Sequence, residues 1–293
     1  MSGIKTILSV IGDETTGESP LRIALTISKV HGCHVEGFHV MIDAAAAVPY
    51  VGEAMAGALV EDMVEAAEKD ARDRADKAKA LFDKVTADMS VAQGGTPPGD
   101  GSATATWNET TGPEPEQVAL RGRVADLLVL GRPGPNGEPP SLLTLNAALL
   151  ESGRPVLVAP PQVSPTVGSR VAIAWNGSAE AARAVLGAMP FLIAAEKVTV
   201  LIAEADDNDD AADATAHELE THLAWHGVKA DVEVLRAGPG TKAGEAIIRA
   251  CGSMNADLLV MGAYTHSRLR QLILGGVTRH ILSNAEFPVL LSH

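Results

Sequence analysis

Apolar residues along this chain fall into two kinds of segment. Short runs rich in Val, Ile and Leu, such as residues 4–11 and 126–131, are typical of strands buried on both faces. Longer segments with apolar residues along one side, such as residues 21–30 and 179–195, have the spacing of helices packed on a core. The alternation of the two kinds predicts parallel strands joined by helical crossovers.

The same order of elements occurs twice. Strands are predicted at residues 4–11, 33–42, 103–108, 126–131 and 155–159, and again at 170–175, 197–203, 229–235, 257–262 and 288–291. Helices are predicted at residues 21–30, 53–85, 115–123 and 141–152, and again at 179–195, 210–227, 241–252 and 267–285. We therefore expect an α/β fold of two tandem doubly wound domains, each with a five-stranded parallel sheet flanked by helices.

The second half also repeats sequence from the first half. The run Ala-Asp-Leu-Leu-Val-Leu-Gly at residues 125–131 recurs 131 residues later as Ala-Asp-Leu-Leu-Val-Met-Gly. Pro-Val-Leu-Val at 155–158 recurs as Pro-Val-Leu-Leu at 288–291. Solenoid repeats have periods of about 20 to 50 residues, so this spacing indicates a duplicated domain. With the proline-containing segment 160–168 as a linker, we expect domains at residues 1–162 and 163–293.

The two copies differ in the loop that follows the fourth strand. The second copy has Gly262, Gly275 and Gly276, together with arginines at positions 268, 270 and 279. Glycine lets the backbone approach a ligand, and a helix N-terminus offers free N–H groups to an anion. This pattern is typical of a phosphate site, although a strand-ending glycine, a helix break and solvated arginines would give it too.

Residues 260–290, together with Ala-Trp-Asn-Gly-Ser at 174–178, resemble the universal stress protein family, and the resemblance extends to both halves. It implies a five-stranded parallel sheet in the order 3-2-1-4-5 for each half. Nucleotide-binding members carry Gly-x2-Gly-x9-Gly-Ser/Thr after the fourth strand, where backbone and hydroxyl groups hold the phosphates of ATP. An Asp after the first strand helps to hold the nucleoside.

The resemblance implies a nucleotide site in the second half. Gly262 and Gly275 match the first and third glycines of the motif, but Thr265 replaces the second glycine. Gly276 replaces the hydroxyl residue, and Asn176 stands where the Asp is expected. The implied site residues are Asn176, Ile202, Ala203, Gly262, Thr265, His266, Gly275, Gly276 and Val277. The implied ligand is ATP or AMP, with Mg²⁺ only alongside ATP, bound more weakly than by the full motif.

The corresponding loop of the first half lacks most of the motif residues. Gly131 matches the first glycine, but the following segment 132–140 contains Pro133 and Pro135, which lack N–H groups. No Gly-Gly or Gly-Ser pair follows, and Asp13 lies only near the expected Asp position. We therefore expect a structural role for this loop.

Composition and charge narrow the range of partners. The net charge of −14 argues against a nucleic acid or an anionic membrane surface, and no apolar run reaches the roughly 20 residues of a membrane span. Cys33 and Cys251 lie at non-equivalent places, which indicates reduced thiols in a cytoplasmic protein. The N-terminus shows no signal-peptide pattern.

Other candidate sites have simpler explanations. His222 and His226 have the spacing of two metal ligands on a helix, but a solvated helix face is favoured. His31 to His34 reads as a helix-to-strand turn. The apolar segment 44–60 is either a lid over the first half or a covering helix, and we favour the covering helix. No motif for nucleophilic catalysis or paired carboxylates is present.

These observations and the resemblance together predict a cytoplasmic, non-enzymatic stress-response protein that responds to adenine nucleotides. One alternative is a nucleotide-independent scaffold or an apolar-ligand-binding protein that uses the first half; a second is a slow ATPase. The resemblance further implies that strands 155–159 and 288–291 pair across a pseudo-two-fold axis within the chain, and that the chain forms a homodimer.

Overall fold

The computed structural model describes residues 3–13, 16–43, 57–96, 101–134, 140–204, 210–236, 242–263 and 275–293. Within them, one continuous sheet of 11 strands runs through both halves of the chain. The predicted α/β fold with helices on both faces of the sheet is confirmed.

The described part of the first half contains six of the strands and four helices. The strands are β1 (Thr6–Val10), β2 (His34–Met41), β3 (Ala92–Gln93), β4 (Thr104–Thr111), β5 (Leu127–Gly131) and β6 (Val156–Ala159). The helices are α1 (Glu18–His31), α2 (Gly57–Asp88), α3 (Glu114–Gly122) and α4 (Leu142–Glu151). The spatial order is β3-β4-β2-β1-β5-β6, so the two-residue β3 adds an edge strand that the sequence did not predict.

The second half contains five strands and four helices among the described residues. The strands are β7 (Arg170–Ala174), β8 (Lys197–Glu204), β9 (Ala230–Arg236), β10 (Leu258–Gly262) and β11 (Val289–Ser292). The helices are α5 (Ala179–Ala194), α6 (Asp210–Trp225), α7 (Ala243–Ser253) and α8 (Gly276–Asn284). The order β9-β8-β7-β10-β11 is the implied 3-2-1-4-5 order, which β4-β2-β1-β5-β6 also follows in the first half.

The two halves join through their last strands. All pairs inside each half are parallel, whereas β6 and β11 pair antiparallel. Leu157 lies opposite Leu290, and these two residues are equivalent in the sequence repeat. A local two-fold axis therefore passes through this pair, which confirms the predicted pairing and leaves neither strand as a bare edge.

The aspartate shared by the two repeats has a structural role that the sequence did not reveal. Asp257 accepts backbone N–H bonds from Gly168, Ser169 and Arg170 at 2.8–3.2 Å, just where β7 begins. Asp126 does the same for β1, through the N–H groups of Lys5 and Thr6. In each half this carboxylate ties the start of the first strand to the start of the fourth.

The core lies on both faces of the sheet and is built mainly from aliphatic side chains. One layer packs beneath α1, α2, α5 and α6, and the other beneath α3, α4, α7 and α8. Cys33 and Cys251 are buried free thiols, as expected for reduced cysteines. Among the described residues, no helix is both long and apolar enough to cross a bilayer.

Candidate functional site

A cavity of about 400 Å³ opens at the carboxyl ends of β7, β8 and β10. This is where the strand order reverses, because β7 leads outward to β8 while β10 returns on its other side. Ligands of open parallel sheets bind in such crevices. The volume falls within the range of about 300–1,000 Å³ that is typical of small-molecule sites.

The structure brings most of the predicted site residues to this cavity. Its lining includes Asn176, Ala203, Gly262, Gly275, Gly276 and Val277. Thr265 and His266 lie outside the described residues. The side chain of Ile202 does not line the cavity, because it lies in the core on the opposite face of the sheet. Side chains alternate along a strand, so Leu201 and Ala203 face the cavity instead.

The rest of the lining is mostly apolar and was not predicted. It comprises Ala174, Trp175, Leu201, Ala243, Ile247, Met261 and Thr278. The indole Nε1 of Trp175 is buried and has no hydrogen-bond partner among the described residues. The sequence carried a usable signal for two of these residues. Leu201 is two positions before Ala203, and Met261 directly precedes the motif glycine. Ala243 and Ile247 come from a helix that no motif marks.

The motif glycines serve two different purposes. A Cβ on Gly262 would lie 2.6 Å from the backbone nitrogen of Ala181 and 2.8 Å from the carbonyl carbon of Glu180. Gly262 is therefore needed for the close approach of α5 to β10, whatever the cavity holds. Among the residues that the structure describes, a Cβ on Gly275 or Gly276 would meet nothing within 4 Å. No described atom therefore crowds the backbone at these two positions beside the cavity.

The cavity is bordered by the first turn of α8. Gly275 is the N-cap residue of this helix and provides no side-chain cap, while the following residues through Thr278 line the cavity. The first N–H groups of a helix lack intrahelical partners, and the helix dipole places partial positive charge there. This end of the cavity can therefore hold an anionic group.

Asn176 occupies the turn between β7 and α5. Its Oδ1 accepts a hydrogen bond from the N–H of Ser178 at 3.2 Å, and the Ser178 hydroxyl in turn caps α5 by accepting from Ala181. Gly177 between them has a φ of +70°, which favours glycine. The Asn176 side chain therefore orders this cavity wall through its oxygen, while its amide group is the part able to donate to a ligand.

The equivalent region of the first half has smaller cavities among the described residues. One of about 20 Å³, room for roughly one water molecule, lies at the carboxyl ends of β1 and β2. Another of about 250 Å³ lies beside it, at the carboxyl ends of β2 and β4. A Cβ on Gly131 would lie 3.1 Å from the carbonyl oxygen of Thr16. The N-terminus of α4 is capped by its own residue Ser141, which accepts from the N–H of Thr144.

A carboxyl group of the protein is buried beside this capped helix. Glu114 lines the small cavity, and the hydroxyl of Thr144 hydrogen-bonds to its carboxyl. Burial raises the pKa of Glu114, and the Thr144 bond partly offsets this; among the described residues, Oε1 has no hydrogen-bond partner. Thr144 and Thr278 are both the third residue of their helix. The first half therefore places an acidic side chain near the helix end that the second half leaves open.

His222 in the last turn of α6 and His226 just after the helix do not form a metal site with their described surroundings. The rings of His222 and His226 lie 4.9 Å apart, edge to face, beside Glu218 in a groove between α5 and α6. Within the part of the chain that the structure describes, no group of three or more His, Cys, Asp or Glu residues is placed to hold a metal ion. The apolar segment 44–60 lies outside the described residues up to position 56.

Comparisons with known proteins agree with this arrangement. The model of the universal stress protein family matches residues 169–293. A universal stress protein of Synechocystis sp. is 33% identical over 138 residues, which are 47% of this chain and 46% of that protein. The chain therefore spans about half the length of this curated relative.

Solved structures with low sequence identity share the fold over the whole chain. A universal stress protein from Archaeoglobus fulgidus DSM 4304 aligns with 98% of this chain and 97% of its own, at 14% identity and a TM-score of 0.66. A protein from Pseudomonas aeruginosa UCBPP-PA14, assigned to the same family, aligns with 99% of this chain and 94% of its own, at 16% identity and a TM-score of 0.52. Residues 169–293 thus match the universal stress protein family, and the first half of the chain repeats the fold of this domain.

Proposed function

We propose that this protein binds an adenine nucleotide, ATP or AMP, in the cavity of its second half and acts as a non-enzymatic, nucleotide-responsive regulator in the stress response. The observation that carries the proposal is the combination of two surfaces in one cavity of about 400 Å³. One is a helix N-terminus without a side-chain cap, and the other is an apolar wall. A nucleotide has matching parts, an anionic phosphate chain and a flat, largely apolar base.

The phosphates would lie against Gly275, Gly276 and the N–H groups of the following turn. The base and ribose would lie against the apolar wall that includes Leu201, Ala203 and Ile247, with Asn176 close to the ribose. Thr265 and His266 are proposed as further phosphate contacts on the family resemblance alone. Mg²⁺ would accompany ATP, held by its phosphates.

Binding rather than hydrolysis is the activity that the lining residues support. None of the described residues around the cavity carries a carboxylate, imidazole or amine that could serve as a general base. The first half, which we propose to be a separate domain of residues 1–162 beside a domain of 163–293, would contribute structure. Two thiols that are not paired with each other suit a reducing compartment such as the cytoplasm.

The proposal is tested by analysing what the protein carries and what it binds. We expect ATP or AMP to be released when the purified protein is denatured, and calorimetry to show binding of both. Gly275→Val should weaken binding at least about tenfold, because its side chain would project into open space that the phosphates need. Gly276→Ser should strengthen it by adding a hydroxyl donor.

Two control variants separate the site from general effects on the fold. Gly252→Val changes a glycine of α7 that also has open space around it, but away from the cavity, and should leave affinity unchanged. Gly131→Val alters the first half and should also leave it unchanged. Loss of binding in Gly131→Val with retention in Gly275→Val would place the site in the other half. No detectable binding by the unmodified protein would refute the proposal.

The implied homodimer remains a prediction. Light scattering at increasing concentration tests it, because a constant mass of 30.3 kDa would exclude self-association.

A further inference from the structure

The side chain of Arg132 crosses from the first half to the second. Arg132 directly follows β5, and its backbone N–H donates to Ala159 at the end of β6. Its guanidinium then reaches past the junction of the two halves. Nη1 donates to the carbonyl oxygen of Ser283 at 3.0 Å, and Nη2 donates to the carbonyl oxygen of Ala285.

Those two carbonyl groups belong to the C-terminal end of α8. Ser283 is the penultimate residue of the helix, and Ala285 is its C-cap. The last carbonyl groups of a helix lack intrahelical donors, and the helix dipole places partial negative charge there. A guanidinium offers fixed donors and a permanent positive charge, so it satisfies both needs at once.

The contact is partly shielded from water. Arg132 is about half-buried, and this burial lowers its pKa, an effect that the nearby Glu286 partly opposes. A charge that has given up part of its hydration needs good hydrogen bonds in return, because an unpaired buried charge is costly. The two carbonyl oxygens supply these bonds, which favours one fixed position of α8 relative to the first half.

The other end of the same helix borders the cavity. α8 has nine residues, so about 13 Å separates the turn that lines the cavity from the carbonyl groups that Arg132 holds. Its N-cap residue is Gly275, which has no side chain to cap the first turn. A short helix of this kind depends on its surroundings for its position, because isolated helices of fewer than about 12 residues are marginal in water.

The corresponding helix of the first half is held differently. Ser141 caps the N-terminus of α4, and Arg123 of the same half donates Nε to the carbonyl oxygen of Glu151 at 3.2 Å. The sequence repeat aligns Arg132 with Ala263, which has no side-chain donor. The link through Arg132 therefore runs only from the first half to α8.

We infer that Arg132 is a positioning residue through which the first half sets the ligand affinity of the cavity in the second half. It holds α8 at the end remote from the cavity, while a bound anion would hold the end that lines it. Both contacts favour the same placement of the helix, so each strengthens the other. By linkage, ligand binding must also tighten the Arg132 contact to the same degree. The part of this inference that concerns affinity rests on the proposed function.

The first measurement does not depend on any ligand. Hydrogen–deuterium exchange of the α8 amides is compared between the unmodified full-length protein and Arg132→Met, which keeps the length of the side chain but has no donors. We expect exchange in α8 to become at least about tenfold faster. The matched control is Arg123→Met, which removes the equivalent contact from α4 and should leave exchange in α8 unchanged. Unchanged exchange of α8 in Arg132→Met would overturn the inference.

The second measurement is the affinity for ATP by calorimetry. Allosteric couplings are typically about 5- to 150-fold, and for a single contact we expect Arg132→Met to weaken binding about 5- to 10-fold. Arg132→Lys retains the charge and can reach one carbonyl, so it should recover part of the affinity. Arg123→Met should bind as the unmodified protein does, even if its overall stability falls.

The outcomes distinguish the two proposals. If the unmodified protein binds ATP and Arg132→Met binds it equally well, the positioning role is overturned and the proposed function stands. If the unmodified protein binds no nucleotide, the proposed function fails, and the exchange measurement alone decides whether Arg132 positions α8. If Arg132→Met does not fold, exchange in Arg132→Lys decides: protection of α8 equal to that of the unmodified protein would overturn the inference, and intermediate protection would support it.

Discussion

The two purposes of the motif glycines lead to a direct prediction for Gly262→Ala. This change adds one methyl group, and its carbon would lie 2.6 Å from the nitrogen of Ala181 and 2.8 Å from two atoms of Glu180. Nonbonded carbon contacts are comfortable at about 3.5–4.0 Å, so the start of α5 would have to move by about 1 Å. Two of the three close atoms belong to the backbone, which cannot rotate away as a flexible side chain would.

The energetic cost follows from what this movement disturbs. Overpacking of a tight interior typically costs about 1–3 kcal/mol. Moving Ala181 also strains the cap that Ser178 makes at 3.2 Å, and a helix N-cap contributes about 1 kcal/mol. We therefore expect the free energy of unfolding to fall by about 2–3 kcal/mol. For a domain of this size each kcal/mol lowers Tm by about 2–4 °C, so the expected decrease is about 4–12 °C.

The assay is thermal and denaturant unfolding, followed by ATP calorimetry at a temperature where the variant is folded. Gly276→Ala is the matched control, because it also adds a methyl group to a glycine at the cavity, but one that would meet no described atom within 4 Å. In the first turn of a helix it should be neutral or slightly stabilising. We expect Gly262→Ala to weaken binding as well, since the wall formed by Asn176 moves with α5. If Gly262→Ala keeps its Tm while Gly276→Ala loses stability, the assignment of roles to the two glycines is wrong.

Three further predictions concern groups outside the cavity. Asp257→Ala should reduce the free energy of unfolding by about 2–3 kcal/mol, because three backbone N–H groups at the start of β7 lose a charged acceptor that water only partly replaces. Urea titration measures this, and an unchanged midpoint would contradict the role of Asp257. Burial raises the pKa of Glu114 in the folded state, so ionisation of this carboxyl group costs stability as pH rises above its unfolded pKa of about 4.5. Glu114→Gln should therefore stabilise the protein at pH 7 but not at pH 4, and equal effects at both pH values would refute this. Burial raises the pKa of Cys33 and of Cys251 to about 12, so neither thiol should react rapidly with Ellman's reagent at pH 8 until denaturant is added, and rapid reaction of the native protein would show that the thiols are accessible.

The sequence predicted the architecture well because the fold depends on patterns that repeat. Every strand of a doubly buried sheet must be apolar, and β5 and β10 kept nearly the same residues after duplication. The strand pairing at Leu157 and Leu290 followed from the same repetition together with the family resemblance. The sequence predicted the ends of the helices less accurately than their existence, because the last turn of a helix depends on capping residues and packing neighbours that the pattern of apolar residues does not contain.

The site was only partly predictable because its walls come from distant parts of the chain. Glycines after a strand mark the phosphate side, so Gly275 and Gly276 could be identified. The sequence named the end of β8 but did not show which of its side chains faces the cavity, and the structure has Ala203 there and Ile202 on the opposite face. Ile247 had no motif to mark it. The contact of Arg132 with Ser283 joins residues 151 positions apart, and nothing in the local sequence of either indicates it.

The seam between β6 and β11 has a consequence for how this protein could diverge. A symmetric homodimer built on such a seam carries two identical sites, and any mutation that closes one closes both. In a single chain the two sides of the seam vary separately, so the first half can place the carboxyl group of Glu114 and a capped helix beside its crevice while its end strand still completes the shared sheet. Fusion of the two domains in one chain thus allows one half to complete the shared sheet without also having to bind a ligand. It also allows a residue of the first half, Arg132, to contact α8 of the second half without an equivalent contact in the other direction.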